Sequence, residues 1–343
     1  MLSRQAGGLI CRNRLVIDVR TCRIIYNHSS TSVKAHAEGN AATSTSSPFQ
    51  YTLSKEPKTL YDHPELYEMA FSYRDIKKEV SFLRDVYSKH SEGSLLQNVL
   101  ELGCGPALHS SGLARTPGIS RVVALDINDE MLKYAQWRYE QAGGKISLPK
   151  PKKGFAPPAL SSPLSLVQGD MSTFDLKGKG SFDMIMCWLG TFSHLLENDQ
   201  ASQCFQRVAE HLRPGGLLIL ELAHPGDLFD GTYIIGDGGK EVWEVPLGET
   251  RKLLVEWGAE FDNFDPVTQI LHRTVSVNIL NGDSVELGME EVVMQRQYTV
   301  QEIKFLAQGN GLQLLELYGE TDLGVDLSHE EAYRMIAVLK KPS

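Results

Sequence analysis

The chain has 343 residues, with 43 acidic against 34 basic side chains and a formal net charge of −9. Apolar residues make up 42% of it, enough for a large buried core in one elaborated domain. The acidic balance argues against nonspecific nucleic-acid binding, and no apolar run is long enough to span a membrane. Five scattered cysteines and ten histidines without metal-ligand spacing predict free thiols and no metal site.

The first 47 residues differ in composition from the rest of the chain. They carry six basic and only two acidic side chains and are rich in serine, threonine and alanine. Such a composition is typical of an organelle transit peptide, although a disordered tail without an address can share it. Arginines interleaved with apolar residues such as Leu9, Ile10 and Leu15 favour the mitochondrion, with a plastid as the alternative. We therefore expect residues 1–47 to lie outside the folded domain.

Residues 48–94 are predicted to form a helical cover. Apolar side chains recur there at helical spacing, giving one stripe: Leu66, Met69, Ala70, Tyr73, Ile76, Val80, Leu83 and Tyr87. The pattern predicts a helix that packs across a sheet.

A buried strand is predicted over residues 97–102, and it leads directly into Gly103 and Gly105. Glycine has no Cβ, so the backbone at these positions can turn sharply and lie close to a ligand. A helix predicted over 107–115 would present its N-terminus to that ligand. Many strand-to-helix turns use glycine for geometry alone, so the turn by itself is weak evidence of binding.

Asp126 ends the next predicted strand, residues 121–126. In doubly wound folds an acid at this place can hydrogen-bond the hydroxyls of an adenosine ribose. A dinucleotide-binding turn would have a third glycine at position 108, where this chain has Leu108. The pattern therefore favours an adenosine compound, with the missing glycine counting against a dinucleotide. Asn128 is expected to cap the helix that follows.

Three further strands are predicted at 164–167, 182–188 and 217–222, with a helix ending near residue 212. Proline-dense residues 149–158 predict a surface loop that precedes the first of these strands.

Residues 223–298 have a different character. Val275, Val277 and Ile279 alternate with polar residues, and Asn281-Gly282 is a strong hairpin signal. The pattern predicts an antiparallel β insertion that caps the mouth of the substrate site. In residues 299–343, a capping box at Thr299 begins a helix over 299–309, and strands over 312–318 and 333–340 complete the sheet.

The ordered set of motifs resembles the class I S-adenosylmethionine-dependent methyltransferases, in particular the small-molecule and amine-directed type similar to methyltransferase domain 25. The matching motifs are Glu101-x-Gly103-x-Gly105, Asp126, Gly169-Asp170-Met171, Phe182 to Trp188 and Leu212 to Leu217. Ala107 stands where the family often has a third glycine. The resemblance implies an α/β fold with a doubly wound, mostly parallel, Rossmann-like sheet of seven strands, a core over 95–222, S-adenosylmethionine as the cofactor and a small-molecule or amine acceptor.

The resemblance also implies the site residues. Cofactor contacts are expected at Arg74, Glu101, Gly103, Cys104, Gly105, Asp126, Ile127, Met131, Asp170, Met171 and Cys187. Arg74 would pair with the methionine carboxylate or, alternatively, with a nearby acid. Asp170 would accept from the adenine amino group or, alternatively, stabilise a turn. Ile127 and Met131 would flank the adenine or belong to the core.

His194 and His224 are the candidate general bases, because both follow strands that should end at the site. Structural roles for both histidines remain open. So do two other functions: an NAD(P)-dependent oxidoreductase on a Rossmann fold, and a non-catalytic binding protein that keeps the methyltransferase-like sheet. The oligomeric state is not predicted.

Overall fold

The computed structural model describes residues 59–144, 163–176, 178, 181–229, 240–260 and 262–343. The predicted transit peptide and the proline-dense loop over 149–158 lie outside the described residues. Within the described ranges, no helix is long and apolar enough to cross a membrane. The same part of the chain contains no cluster of three or more His, Cys, Asp or Glu side chains that could hold a metal ion.

The N-terminal cover consists of two helices, α1 (Pro64–Ala70) and α2 (Ile76–His90), where the periodicity predicted one continuous stripe. The backbone breaks at residues 71–75, and Asp75 caps α2 by accepting from the Lys78 backbone N–H at 3.0 Å. An aspartate at this position favours a new helix start over continuation of the old one. The prediction of a single stripe is wrong at this break.

Alternating strands and helices build the first part of the sheet. The strands are β1 (Asn98–Leu102), β2 (Arg121–Asp126), β3 (Leu164–Gln168), β4 (Phe182–Cys187) and β5 (Leu212–Ala223). The helices are α3 (Leu108–Ala114), α4 (Asp129–Gln141) and α5 (Asn198–His211). Asn128 caps α4 as predicted, because its side chain accepts from the backbone N–H groups of Glu130 and Met131.

A second, antiparallel sheet follows β5 in the chain. Its strands are β6 (Glu241–Pro246), β7 (Arg251–Trp257), β8 (Asn263–Asp265), β9 (Ile270–Asn281) and β10 (Ser284–Arg296). Along the main path their order is β10-β9-β7-β6, with β8 paired to β9. The hairpin predicted at Asn281-Gly282 joins β9 to β10.

The chain ends with α6 (Val300–Gly309), β11 (Gln313–Tyr318) and β12 (Arg334–Lys340). The predicted capping box begins α6: the Thr299 hydroxyl accepts from the Glu302 backbone N–H, and the Glu302 carboxylate accepts from Thr299. Both final strands join the first sheet, whose order is β11-β12-β5-β4-β1-β2-β3. Strands β5, β4, β1, β2 and β3 are parallel, and β12 is antiparallel to both its neighbours. The predicted fold class is confirmed.

Strand order decides where a ligand can bind. The neighbours of β1 are β2 and β4, and in such sheets ligands bind beyond the carboxyl ends of the parallel strands. The antiparallel sheet lies near the carboxyl ends of the parallel strands, because α1 packs on the antiparallel sheet. Leu66 and Ala70 share an apolar cluster with Leu253, Val255 and Val277.

Candidate functional site

The turn after β1 has the left-handed backbone that glycine adopts most easily. Gly103 has a φ of +59° and Gly105 a φ of +49°. The Cys104 N–H donates to the Leu125 carbonyl at 2.9 Å, and the Gly105 N–H donates to the Asp126 carboxylate at 2.7 Å. These two bonds hold the glycine turn against the end of β2.

Asp126 is buried at the end of β2, with 8% of its surface exposed. One carboxylate oxygen accepts from Gly105, and the other accepts from the Asn128 N–H at 2.8 Å. Burial raises the pKa of Asp126, and the backbone hydrogen bonds partly oppose this rise. A carboxylate has about four lone-pair sites, so beyond its backbone hydrogen bonds it can also accept from a hydroxyl group of a ligand.

A cleft of about 510 Å³ opens beside Asp126. One wall contains the predicted residues Ile127, Met131, Asp170 and Met171. Ile127 is 67% exposed, which suits a residue that packs against a ligand more than one that fills the core. The lining also includes four aromatic rings, which belong to Tyr61, Tyr67, Phe71 and Trp257 and form the aromatic wall of the cleft.

Asp170 stabilises a turn and also lines the cleft. One of its oxygens accepts from the Ser172 backbone N–H and hydroxyl, each at 2.7 Å. The two alternatives weighed for this residue are therefore compatible, since its other oxygen makes none of these bonds.

A small recess of about 30 Å³ adjoins the cleft, and the two share Tyr67, Gly103 and Leu189 among their lining residues. Glu101, Cys104, Arg74 and His109 also line this recess. Glu101 is buried at the end of β1, where it accepts from the backbone N–H of Ser110 at 3.0 Å.

Arg74 pairs with two buried acids and does not lie at the surface beside Asp75. It donates both ends of its guanidinium to Glu221 at 2.8 and 2.9 Å, and its Nε lies 2.7 Å from Glu79. Burial alone would raise the pKa of Glu221, but Arg74 and Arg334 hold it at about 2. These pairs fix the break between α1 and α2 to β5 and β12. A contact from Arg74 to a ligand carboxylate stays a prediction.

Cys187 is not among the residues that line the cleft or the recess. Its side chain lies in the core cluster with Phe192 and Cys204, on the other side of β4 from Met186 and Trp188. Because side chains alternate across a strand, a thiol at this position packs on the opposite face of the sheet. The expected cofactor contact is wrong for this side chain.

His194 lines the cleft and contacts Tyr61. The Tyr61 hydroxyl and His194 Nε2 lie 3.2 Å apart. Burial raises the pKa of Tyr61 well above its ordinary value, so this phenol keeps its proton and donates it to Nε2. Burial lowers the pKa of His194, against an opposing bond with the Met294 backbone. The imidazole is therefore neutral at pH 7.

His224 has a structural role, contrary to its assignment as a candidate base. Its Nδ1 accepts from the Gly226 N–H at 3.0 Å, and its Nε2 donates to the Leu327 carbonyl at 3.1 Å. Both ring nitrogens are engaged, and the ring does not line the cleft. It caps the short 3₁₀ helix that follows β5.

Four functional residues were missed or given a different role by sequence reasoning: Tyr61, Tyr67, Trp257 and His109. Tyr67 and His109 lie inside the predicted helical elements, where spacing indicates only which residues pack together. Tyr61 precedes α1 in the run Tyr61-Asp-His-Pro, and Trp257 ends β7. Only the fold brings the segments that contain Tyr61 and Trp257 to the same cleft.

Residues 100–220 match the family model described as "Methyltransferase domain". This segment runs from β1 to β5 and contains the glycine turn, Asp126 and Asp170. These residues therefore form a methyltransferase domain.

The chain is similar to two curated proteins. The dTDP-3-amino-3,4,6-trideoxy-alpha-D-glucopyranose N,N-dimethyltransferase of Streptomyces venezuelae is 26% identical over 163 residues, 47% of this chain and 56% of that protein. The cypemycin N-terminal methyltransferase of a Streptomyces species is 24% identical over 223 residues, 65% of this chain and 75% of that protein.

Solved structures show the same fold. An S-adenosylmethionine-dependent methyltransferase from Clostridium acetobutylicum ATCC 824 superposes with a TM-score of 0.61 at 18% identity, over 81% of this chain and 97% of that one. DesVI from Streptomyces venezuelae superposes with a TM-score of 0.60 at 16% identity, over 82% and 98% of the two chains. At these identities the likeness concerns the fold alone.

The residues of the cleft fit S-adenosylmethionine. Its volume lies in the range of small-molecule sites, and the Asp126 carboxylate offers lone pairs for a ribose diol. Asp170 and Ile127 are placed for the adenine, and Glu101 lies in the recess, where a carboxylate can bind the ammonium group of the amino-acid end.

Replacing Gly103 by alanine is expected to destabilise the domain by about 2–4 kcal/mol. The new Cβ would lie 2.1 Å from Thr191 Cγ2, and the positive φ adds backbone strain. The matched control is Gly118→Ala, because Gly118 has a φ of +91° and a Cβ added there would have nothing within 4 Å. Urea unfolding of both variants separates the clash from the strain. Equal losses of about 1 kcal/mol would contradict the close packing of Thr191 on the glycine turn.

Proposed function

We propose that this methyltransferase transfers the methyl group to the amine nitrogen of a small acceptor bound between the glycine turn and the aromatic wall. S-adenosylmethionine supplies an electrophilic methyl group on a sulfonium sulfur. The observation that carries the proposal is the neutral Tyr61–His194 pair in the same cleft as Asp126. A neutral amine nitrogen becomes an alkylammonium when it gains the methyl group, and this pair can accept the proton that then leaves the nitrogen.

The chemistry requires alignment and one proton transfer. The acceptor nitrogen forms the new bond to the methyl carbon while the carbon–sulfur bond breaks, with the nitrogen in line with that bond. The nitrogen's proton passes to the Tyr61 oxygen as the Tyr61 proton moves to His194 Nε2. His194 then carries the positive charge and releases the proton to solvent. Both groups start in the protonation states that this transfer needs.

The walls of the cleft suit a small amine with an apolar face. Tyr67, Phe71 and Trp257 form a connected group, with ring centroids 4.7 Å apart for Tyr67–Phe71 and 5.6 Å apart for Phe71–Trp257. Gln200 and Gln295 add amide groups that can donate to and accept from polar substituents. Aromatic faces also attract the positive charge that the nitrogen carries after it gains the methyl group and before its proton leaves.

The names of the two similar proteins support an amine acceptor. One is named as an N,N-dimethyltransferase of an amino sugar nucleotide, and the other as the N-terminal methyltransferase of cypemycin. The first name specifies methylation of nitrogen. The missing glycine at Leu108 and the methyltransferase family match both disfavour the dinucleotide oxidoreductase.

The test uses S-adenosylmethionine labelled in its methyl group and matched pairs of acceptors. Each pair has the same carbon skeleton, one member carrying an amino group and the other a hydroxyl group at the same position. Mass spectrometry is expected to find the label on the amino members. Label on the hydroxyl members would contradict the proposal. So would binding of the cofactor without transfer to any amine in a broad panel of amino sugars, aliphatic amines and peptide N-termini. The latter outcome would favour the non-catalytic binding protein.

A further inference from the structure

His109 lies between two buried carboxylates. Its Nε2 is 2.6 Å from Glu79 on α2, and its Nδ1 is 3.4 Å from Glu101 on β1. Only 3% of His109 is exposed, and the two carboxylates are equally buried. The ring stacks on Trp188 with 5.6 Å between centroids and 24° between planes. Neither ring nitrogen faces water or a backbone carbonyl in these contacts.

The charges around the ring balance when the ring is a cation. Arg74 pairs with Glu79 and Glu221, and Arg334 pairs with Glu221 while lying 3.8 Å from Glu79. With a protonated His109, three cations therefore meet three buried carboxylates: Glu79, Glu101 and Glu221. Arg334 also donates to Glu320 nearer the surface, and the Cys104 thiol beside Glu101 is buried and has a raised pKa.

Without that proton, Glu101 would be poorly compensated. A buried carboxylate is unfavourable in its ionised form unless it is paired or hydrogen-bonded. The Ser110 backbone N–H and hydroxyl satisfy one oxygen of Glu101, but the other oxygen lies next to His109. His109 is thus the cation that faces this second oxygen of Glu101, at a distance of 3.4 Å.

We infer that His109 is a positioning residue that holds the Glu101 side chain at the recess, where Glu101 binds the ammonium group of the cofactor. The inference rests on the cofactor site described above. Burial lowers the pKa of His109, but Glu101 and Glu79 outweigh burial and raise it to about 9. His109 does not touch the reacting atoms. It links the glycine turn, through Glu79, to the cover helix α2.

The experiment compares two ligands that differ at the amino-acid end. S-adenosylmethionine has the ammonium group, and 5′-methylthioadenosine keeps the adenosine and sulfur but lacks it. In His109→Phe, which retains a ring against Trp188, calorimetry at pH 7.5 is expected to show S-adenosylmethionine binding weakened by about tenfold or more. Binding of 5′-methylthioadenosine should stay within about twofold of the wild-type value, because the adenosine contacts are intact.

A purely structural role for His109 would weaken both ligands equally, and that result overturns the inference. Unchanged binding of both ligands also overturns it. If His109→Phe does not fold, NMR of the wild-type ring at pH 7.5 decides, since a neutral His109 would contradict the inference and an imidazolium would support it. Failure of the wild-type chain to bind S-adenosylmethionine would instead refute the cofactor site itself.

Discussion

Replacing Asp126 by alanine is expected to weaken S-adenosylmethionine binding by roughly 10- to 150-fold, because hydrogen bonds to a charged group contribute about 1.5–3 kcal/mol. The substitution removes the acceptor proposed for the ribose diol. It also leaves the Gly105 N–H, now 2.7 Å from that carboxylate, without its partner at the glycine turn. Because the ribose loses its acceptor and the Gly105 N–H loses its partner, we expect this substitution to decrease cofactor affinity more than any other at the site.

Calorimetry on the folded variant measures this change. The matched control is Asp129→Ala, which removes an exposed carboxylate from the first turn of α4 and an ion pair with Lys133. Affinity of the control should equal that of the wild type. A folded Asp126→Ala protein with wild-type affinity would show that the cofactor is not held at the end of β2.

Replacing His194 by glutamine is expected to lower kcat by about 100- to 10,000-fold, the usual contribution of a positioned general base. The side chain lines the cleft near the aromatic wall, so the dissociation constant of S-adenosylmethionine should stay nearly the same. Tyr61→Phe should lower kcat in the same direction, because it removes the hydroxyl through which the proton passes. The exposed His329, which does not line the cleft, provides the control His329→Gln.

The pH dependence of kcat gives an independent check on His194. Because burial lowers its pKa below the ordinary value of a histidine, the wild-type rate should stay constant near neutrality and fall only in more acidic solution. His194→Gln should lose this acidic limb. An identical pH profile in wild type and variant, or a loss of cofactor affinity equal to the loss of kcat, would contradict the proposed proton transfer.

Local signals predicted the parts of the site that one short segment encodes. The glycine turn and Asp126 were predicted because a strand, its turn and the end of the next strand each leave a mark in the sequence. The Asn128 cap, the Thr299 capping box and the hairpin at Asn281-Gly282 are equally local. In each case the residue type and its spacing are sufficient for the interaction that the structure shows.

Interactions between distant segments could not be predicted in the same way. The break between α1 and α2 follows from Arg74, which turns inward to Glu221, 147 residues away. The aromatic wall joins Tyr67 of α1 and Phe71, which follows α1, to Trp257 at the end of β7. Periodicity indicates that such residues are buried, but it does not indicate which partner they meet.

The two candidate bases illustrate the same limit. His194 and His224 each follow a strand of the parallel sheet, so sequence position does not separate them. The structure separates them by their partners, a tyrosine hydroxyl in the cleft for His194 and two backbone groups for His224. The cofactor contact predicted for the Cys187 side chain is wrong for a related reason. Strand β4 is buried on both faces, so no alternation of apolar and polar residues indicates which side chains face the ligand.

A crystal structure of the chain with S-adenosylhomocysteine tests the central claim most directly, since that claim concerns one cleft with a cofactor end and an acceptor end. The ribose hydroxyls are expected within hydrogen-bond distance of the Asp126 carboxylate and the ammonium group in the recess beside Glu101. The sulfur should face the part of the cleft that contains Tyr61 and His194. A ligand bound elsewhere, or bound with its sulfur turned away from this pair, would contradict the account.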